Sequence, residues 1–309
     1  MGISLALVAS VFASLSNYCM RRNLDAGGTT KAMLSVQLSA AFLIAFLLAP
    51  VRTQNFEAVF STLFLGIITG LVFGMMMLFL GKALEKGPPG ITIALLNASV
   101  VLPGLFMAMT FGVSFGYEYN FLHAAGSILV LGGIFWAGWG LQGIKSINSW
   151  LLFSLAAFFL HLLFLILMQW RALMINVDIR SHFLQIIDSK DAASEWFLPM
   201  IYFSAALLQT YFFVTSEKRI PSREEWSYGL FGGIGTSMCT FFLIWSTESA
   251  SPLENAMIFP VFSVMIILFC NSWGRWLYDE KVNWKACNLC IGGIILGMVD
   301  WRTILSYFS

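Results

Sequence analysis

Apolar residues run along this chain in long unbroken stretches, separated by short segments that carry nearly all of the charge. Reading between charged or Pro- and Gly-marked breaks gives apolar runs near 3–20, 32–50, 60–81, 89–111, 121–141, 150–170, 197–216, 227–246, 253–273 and 284–304. About 20 mostly apolar residues cross a hydrocarbon layer of about 30 Å as a helix. Within that layer the backbone must satisfy its own hydrogen bonds, which leaves helices or a closed barrel. Unbroken runs of this length exclude the short alternating strands of a barrel. The pattern predicts an all-α integral membrane protein of ten transmembrane helices, with no room for a separate soluble domain.

The runs repeat. A shift of 163 residues places Gly66 on Gly229, Gly70 on Gly233, Met75 on Met238, Phe79 on Phe242, Leu80 on Leu243 and Pro89 on Pro252. The same shift carries Val101 onto Val264, Leu105 onto Leu268 and Phe106 onto Phe269, and a shift of 160 puts Gly132-Gly133 on Gly292-Gly293. Earlier spans agree less closely: a shift of 150 places Ser4 on Ser154, Leu15 on Leu165 and Arg21 on Arg171, and a shift of 165 places Ser39-Ala40-Ala41 on Ser204-Ala205-Ala206. Two five-helix repeats follow, residues 1–145 and 146–309. An odd number of spans in each half makes the second copy enter the membrane in the opposite orientation, the inverted-topology plan of secondary transporters.

Composition sharpens this picture. Of 309 residues, 59% are hydrophobic and 11% charged, against roughly a quarter charged in a soluble domain. With 17 Lys and Arg against 16 Asp and Glu, the basic footprint of a nucleic-acid binder is missing. Cys19, Cys239, Cys270, Cys287 and Cys290 fall in or beside apolar runs, where a thiol behaves as a small hydrophobe, and the Cys287/Cys290 pair has a membrane setting rather than that of a zinc or redox loop. No metal site or cofactor is expected. The run from Ile3 to Met20 has Arg21 and Arg22 after it rather than a basic segment before it, so it is expected to be retained rather than cleaved as a signal peptide. Ala6 stands where a myristoylation signal carries Ser or Thr.

Three features, recurring in matching order in both halves, resemble the drug/metabolite transporter superfamily in its ten-helix, EamA-like form over nearly the whole chain. Small-residue third and eighth spans run into a Pro-led fourth and ninth, through Ala83-Leu84-Glu85-Lys86-Gly87-Pro88-Pro89 and Ser249-Ala250-Ser251-Pro252. An intraspan proline follows, Pro103 and Pro260. An acidic turn then leads into a Gly-rich closing helix, Tyr117-Glu118-Tyr119-Asn120 before Gly126 to Gly133, and Asp279-Glu280-Lys281 before Gly292 to Gly297. The resemblance implies a metabolite carrier with a central cavity between the halves. It also implies cytoplasmic termini, which would leave Arg52, Arg171, Arg180, Lys190 and Arg302 inside and the remaining basic residues outside. The positive-inside rule argues for the opposite orientation.

Candidate site residues come from polar positions inside the runs. Ser10, Ser14, Asn17 and Tyr18 form one polar stripe on the first span, and Ser154, His161 and Gln169 share a face of the sixth. His161 sits near the middle of its run, and an imidazole titrating near pH 6.5 suits proton coupling. Asn97, Thr236, Thr240 and Asn255 are added because the resembling family lines its cavity with those helices. Glu254 carries two readings. An intramembrane carboxylate is by default a candidate for proton coupling, whereas Ser251-Pro252-Leu253-Glu254 reads as a capping box, as does Ser222-Arg223-Glu224-Glu225. Arg21 shares the first-span stripe and would stand at the cavity mouth. Trp136, Trp139, Trp150, Trp196 and Trp284 lie near span ends, as interface anchors do.

The function expected is secondary transport, by alternating access through a central cavity, of a small polar metabolite such as an amino acid, sugar or nucleotide. Uniport, exchange for a counter-substrate and proton-linked transport are all open to it, and a monomer or homodimer would sit in a bacterial inner membrane. No catalytic residue is expected. The competing reading, a membrane enzyme or lipid-handling protein, requires titratable groups converging at one depth.

Overall fold

The computed structural model describes residues 1–86, 89–111, 120–138, 147–175, 186–278 and 283–298. Its helices are α1 (Gly2–Asp25), α2 (Thr30–Phe46), α3 (Phe60–Lys86), α4 (Pro89–Phe111), α5 (Phe121–Gly138), α6 (Ile147–Ile175), the short α7 (Ser189–Ala192), α8 (Phe197–Glu217), α9 (Arg223–Glu248), α10 (Pro252–Tyr278) and α11 (Trp284–Met298). No strand occurs among the described residues. Seven helical stretches are long and apolar enough to cross a membrane: α1, α2 with the π turn that continues it, α3, α6, α8, α9 and the Met257–Leu277 part of α10. Shorter apolar stretches lie in α4 (Leu95–Met107), α5 (Phe121–Trp136) and α11 (Trp284–Gly297). The chain is an all-helical, multi-pass membrane protein. Over its described residues every expected apolar run falls on a helix, and the short α7 was not anticipated. The acidic turns Tyr117-Glu118-Tyr119 and Asp279-Glu280-Lys281, together with Trp139, Arg180 and Arg302, lie outside the described residues.

Local chemistry sets the helix ends. Thr29 caps α2 by accepting from the Ala32 amide. Ser222 and Glu225 form the expected capping box on α9, and Ser251 and Glu254 exchange the equivalent bonds at the start of α10, at 3.0 and 3.3 Å. Lys218, at φ 49°, turns the chain out of α8 in the left-handed region. Pro50 sits within the π turn Leu47–Val51 that closes α2, a deviation that accommodates the amide proline lacks.

The principal helix pairs correspond when α1–α5 are exchanged with α6 and α8–α11. Helix α1 lies on α9 as α6 lies on α3; α2 lies on α9 as α8 lies on α3; α1 meets α10 as α6 meets α4. Three pairs are their own counterparts, α2 with α8, α4 with α10 and α5 with α11. Hydrogen bonds fix which ends lie together. The starts of α1, α8 and α10 and the ends of α6 and α9 share one end of the bundle, through Ser246 Oγ to the Gly2 carbonyl at 2.7 Å, the Met1 ammonium to Glu254 at 3.1 Å and Arg171 to Glu248 at 2.6 Å. At the other end Glu225 on α9 accepts from the Thr29 amide at the start of α2, and Trp150 near the start of α6 donates to Thr92 near the start of α4.

Glycine seams hold these pairs together, because lipid tails are as apolar as leucine and helix association rests on close packing. A Cβ at Gly66 would meet the Met200 side chain and the Phe197 carbonyl; one at Gly229 would meet the Val36 side chain and the Met33 carbonyl. At Gly70 it would strike the Ile201 carbonyl and Ser204 Oγ, and at Gly233 the Gln37 carbonyl and Ala40. A shift of 163 relates the glycines, and one of 164 relates all their partners. The expected 165 for α2 and α8 is therefore one residue out. Matching Ser-Ala-Ala triplets rewarded identity of side chains, whereas the seam is set by backbone approach. On α5 and α11, Gly133 abuts the Ala286 carbonyl and Cys290, while Gly293 abuts the Gly126 carbonyl and Val130, all related by 160.

Gly70→Val and Gly233→Val should each lower thermal stability by about 1–3 kcal/mol, as overpacking does. Gly132→Ala and Gly292→Ala, where a Cβ meets nothing within 4 Å, should lose nothing. Thermal unfolding of the four purified variants checks the contrast.

Candidate functional site

At the middle of the bundle, buried uncharged polar side chains from four helices bond to one another. Gln37 of α2 donates from Nε2 to Ser16 Oγ of α1 at 3.0 Å and to Thr236 Oγ1 of α9 at 2.7 Å. The two hydroxyls lie 2.9 Å apart. Tyr202 of α8 directs its hydroxyl at the Thr236 carbonyl, 2.9 Å away, and at Thr240 Oγ1, 2.6 Å away. The glycines of α9 make this possible, since Gly233 and Gly235 bring its backbone against α2 and α1.

A row of rings links this cluster to α6 and α4. Tyr202 meets Phe73 of α3 edge-on at 6.0 Å, Phe73 meets Phe164 of α6 at 4.9 Å, and Phe164 stacks on His161 at 6.4 Å. His161 Nδ1 lies 2.9 Å from Ser99 Oγ and 3.3 Å from the Leu96 carbonyl. Ser99 places its single proton on the Leu96 carbonyl, so it accepts from His161 Nδ1–H. That tautomer, assigned from the network, leaves Nε2 as an acceptor. Alongside, Ser263 of α10 donates to the Asn97 carbonyl of α4 at 3.1 Å.

The expected residues fall in three groups. Thr236 and Thr240 meet in the central cluster, and His161 joins it through the rings. Ser14 bonds back to the Val11 carbonyl of its own helix, while Asn17 points its amide at Cys270 Sγ and Tyr18 stacks on Trp273, both on α10. The α1 member of the central cluster is therefore Ser16, which lies off the Ser10–Ser14–Asn17–Tyr18 stripe. Two neighbours explain this, because α1 turns one polar face to α9 and α2 and another to α10. Gln169 is buried with neither amide atom bonded, and Ser154 Oγ is likewise buried and unpartnered. Asn97 is buried on α4, and the side chain of Asn255 lies outside the described residues. Sequence reading missed Ser16, Gln37, Ser99 and Tyr202.

Among the described residues, the ion pairs stand at the bundle's ends. Buried Arg171 pairs with Glu248, donates to the Ala192 carbonyl at 2.8 Å and lies over the Phe197 ring at 4.4 Å, so it locks α6, α7, α8 and α9 together. At the opposite end Arg219 grips Glu225 and Glu217, each at 2.7 Å. Glu254 precedes the apolar window of α10 and accepts from the Ser251 and Ile3 amides and the Met1 ammonium. Partial burial pushes its carboxyl up, but the Ser251 amide, the Met1 ammonium and the Ile3 amide outweigh burial and hold it down at about 2. The capping reading of Glu254 thus has its full set of bonds.

No protein-family profile matches this chain, and no curated protein does. Among 28 matching chains of solved structures, one crystal structure superposes with a TM-score of 0.72, covering 98% of this chain and 98% of that chain at 15% identity. Likeness at that identity extends to the fold alone.

Because the Glu254 carboxyl sits low in the folded protein, its stabilisation is complete above its ordinary value of 4.5 and fades as pH falls towards about 2. Glu254→Gln, which still fills the capping position, should melt below wild type at pH 7. The gap should narrow steadily between pH 4.5 and 2, as read by thermal unfolding across that range.

Proposed function

We propose that this protein is a carrier-type secondary transporter of the drug/metabolite transporter superfamily, EamA-like in form. It crosses the membrane ten times as two inverted five-helix halves. The observation that carries the reading is the polar and aromatic lane at mid-depth, from Ser16, Gln37, Tyr202 and Thr236 across Phe73 and Phe164 to His161 and Ser99. It draws on α1–α4 of one half and α6, α8 and α9 of the other. Polar side chains inside a membrane protein face its interior or a water-filled path, and sites at the midplane between halves are where inverted-repeat carriers bind cargo. The correspondence of the principal helix pairs supports the two halves, and the opposite directions of α1 and α6 support their inversion.

In this reading the conformation is occluded. Thr236, Thr240, Gln37 and Tyr202 are buried, and the Arg171 and Arg219 networks close the two ends. Alternating access then requires each end to loosen in turn while the glycine seams move as units. A small metabolite is the cargo, with a proton or a counter-substrate as co-reactant, in a bacterial inner membrane. An enzyme acting in the membrane would need a carboxylate or second base near His161, and among the described residues its partners are a hydroxyl and a carbonyl.

His161→Ala and His161→Gln, each first shown to keep the wild-type melting profile, should lower the rate of uptake into liposomes about tenfold or more and alter its pH dependence. Wild-type rate, affinity and pH profile in both variants would remove His161 from the transport path.

A further inference from the structure

Resting on the carrier reading, we infer that the cargo is an uncharged molecule with a flat unsaturated ring and a hydrogen-bonding edge, of the nucleoside kind, rather than a phosphorylated or otherwise net-charged metabolite.

The first ground is electrostatic. Among the described residues every carboxylate, ammonium and guanidinium stands near a helix end or in a connection; Arg171, Glu248, Arg219, Glu225 and Glu254 are examples. The mid-depth lane holds hydroxyls, amides, a phenol and an imidazole. A charge held there would have no counter-charge, and a buried unpaired charge is strongly disfavoured. Carriers of charged cargo need an opposing side chain inside the membrane, and the lane holds no standing charge; its titratable imidazole, His161, has a hydroxyl and a carbonyl for partners.

The second ground is the set of polar atoms left unused. Gln37 Oε1 in the cluster and Ser237 Oγ, next to Thr236 on α9, are buried without a hydrogen-bond partner, and both residues are 0% exposed. Buried polar groups are nearly always bonded, so such orphans call for a partner that comes and goes. They comprise an acceptor and a hydroxyl that serves as either donor or acceptor. A neutral solute with its own donors and acceptors satisfies that mixture, whereas a phosphate offers acceptors only.

The third ground is shape. The wall joining the Gln37 cluster to His161 is built from the Tyr202, Phe73 and Phe164 rings, and aromatic faces favour a flat ring packed against them. A solute fitting this lane sets a ring on that wall and its polar edge on Gln37, Tyr202 and the threonines.

Proteoliposome uptake of uridine, uridine 5′-monophosphate and glucose separates the alternatives. Saturable uridine uptake should run at least tenfold faster than uptake of the other two. Gln37→Leu and Tyr202→Phe, checked for a wild-type melting profile, should reduce it about tenfold. If either variant fails to fold, competition of labelled uridine by excess unlabelled nucleosides against excess monophosphates in the wild-type protein gives the same reading. Uptake of the monophosphate or of glucose at the uridine rate, or uridine uptake unaffected in both folded variants, overturns the inference and leaves the carrier reading standing. Movement of none of the three overturns the inference. The carrier reading itself is judged separately, by access to the lane from both sides of the membrane.

Discussion

In hydrocarbon an apolar side chain gains little by leaving lipid for protein, so this bundle depends on how closely its backbones approach. Gly66, Gly70, Gly229 and Gly233 bring α3 against α8 and α9 against α2, and Gly133 and Gly293 bring α5 against α11. Those seams decide what else the molecule can do. With Gly233 and Gly235 holding α9 on α2 and α1, the Gln37 amide and the Ser16 and Thr236 hydroxyls come within hydrogen-bonding reach. A methyl group on Gly233 would push the same atoms apart.

The closeness also separates two kinds of polar interaction. Charged pairs stand at the ends, where headgroups and water lower their desolvation cost, and there they tie helices into groups. Neutral hydrogen bonds and rings fill the middle. Each interhelical bond of that sort contributes only about 0.6 kcal/mol on average, so the central cluster can be rearranged without disassembling the bundle. In the carrier reading proposed above, strong seams beside weak central contacts would let rigid units move against one another around a fixed lane.

Much of the architecture was legible in the sequence because it follows from one-dimensional rules. Apolar runs marked the helices, Ser222/Glu225 and Ser251/Glu254 marked two starts, and the glycines repeated at a constant shift. The site was legible where a residue's own helix announced it, as with His161, a polar ring in an apolar run. Thr236 and Thr240 entered through the helices that the resembling family uses to line its cavity. Gln37 and Tyr202 gave no such signal, since each acquires meaning only from partners on other helices, 21 and 199 residues away for Gln37 and 34 and 38 for Tyr202. Ser16 was passed over because a stripe along one helix says nothing about which of two neighbours that helix faces. The register of α2 against α8 slipped by one residue for a similar reason: identity among small side chains is frequent by chance, whereas backbone contact is specific.

The central claim is that the mid-depth lane opens to each side of the membrane in turn. Ser237 follows lane residue Thr236 on α9 and is fully buried with a free hydroxyl, and a cysteine is nearly isosteric there. In a protein whose five native cysteines are replaced, Ser237→Cys should react with a membrane-impermeant maleimide added from either side of sealed proteoliposomes, and transported solute should slow both reactions. Reaction from one side only, under every condition of solute and pH, would contradict alternating access.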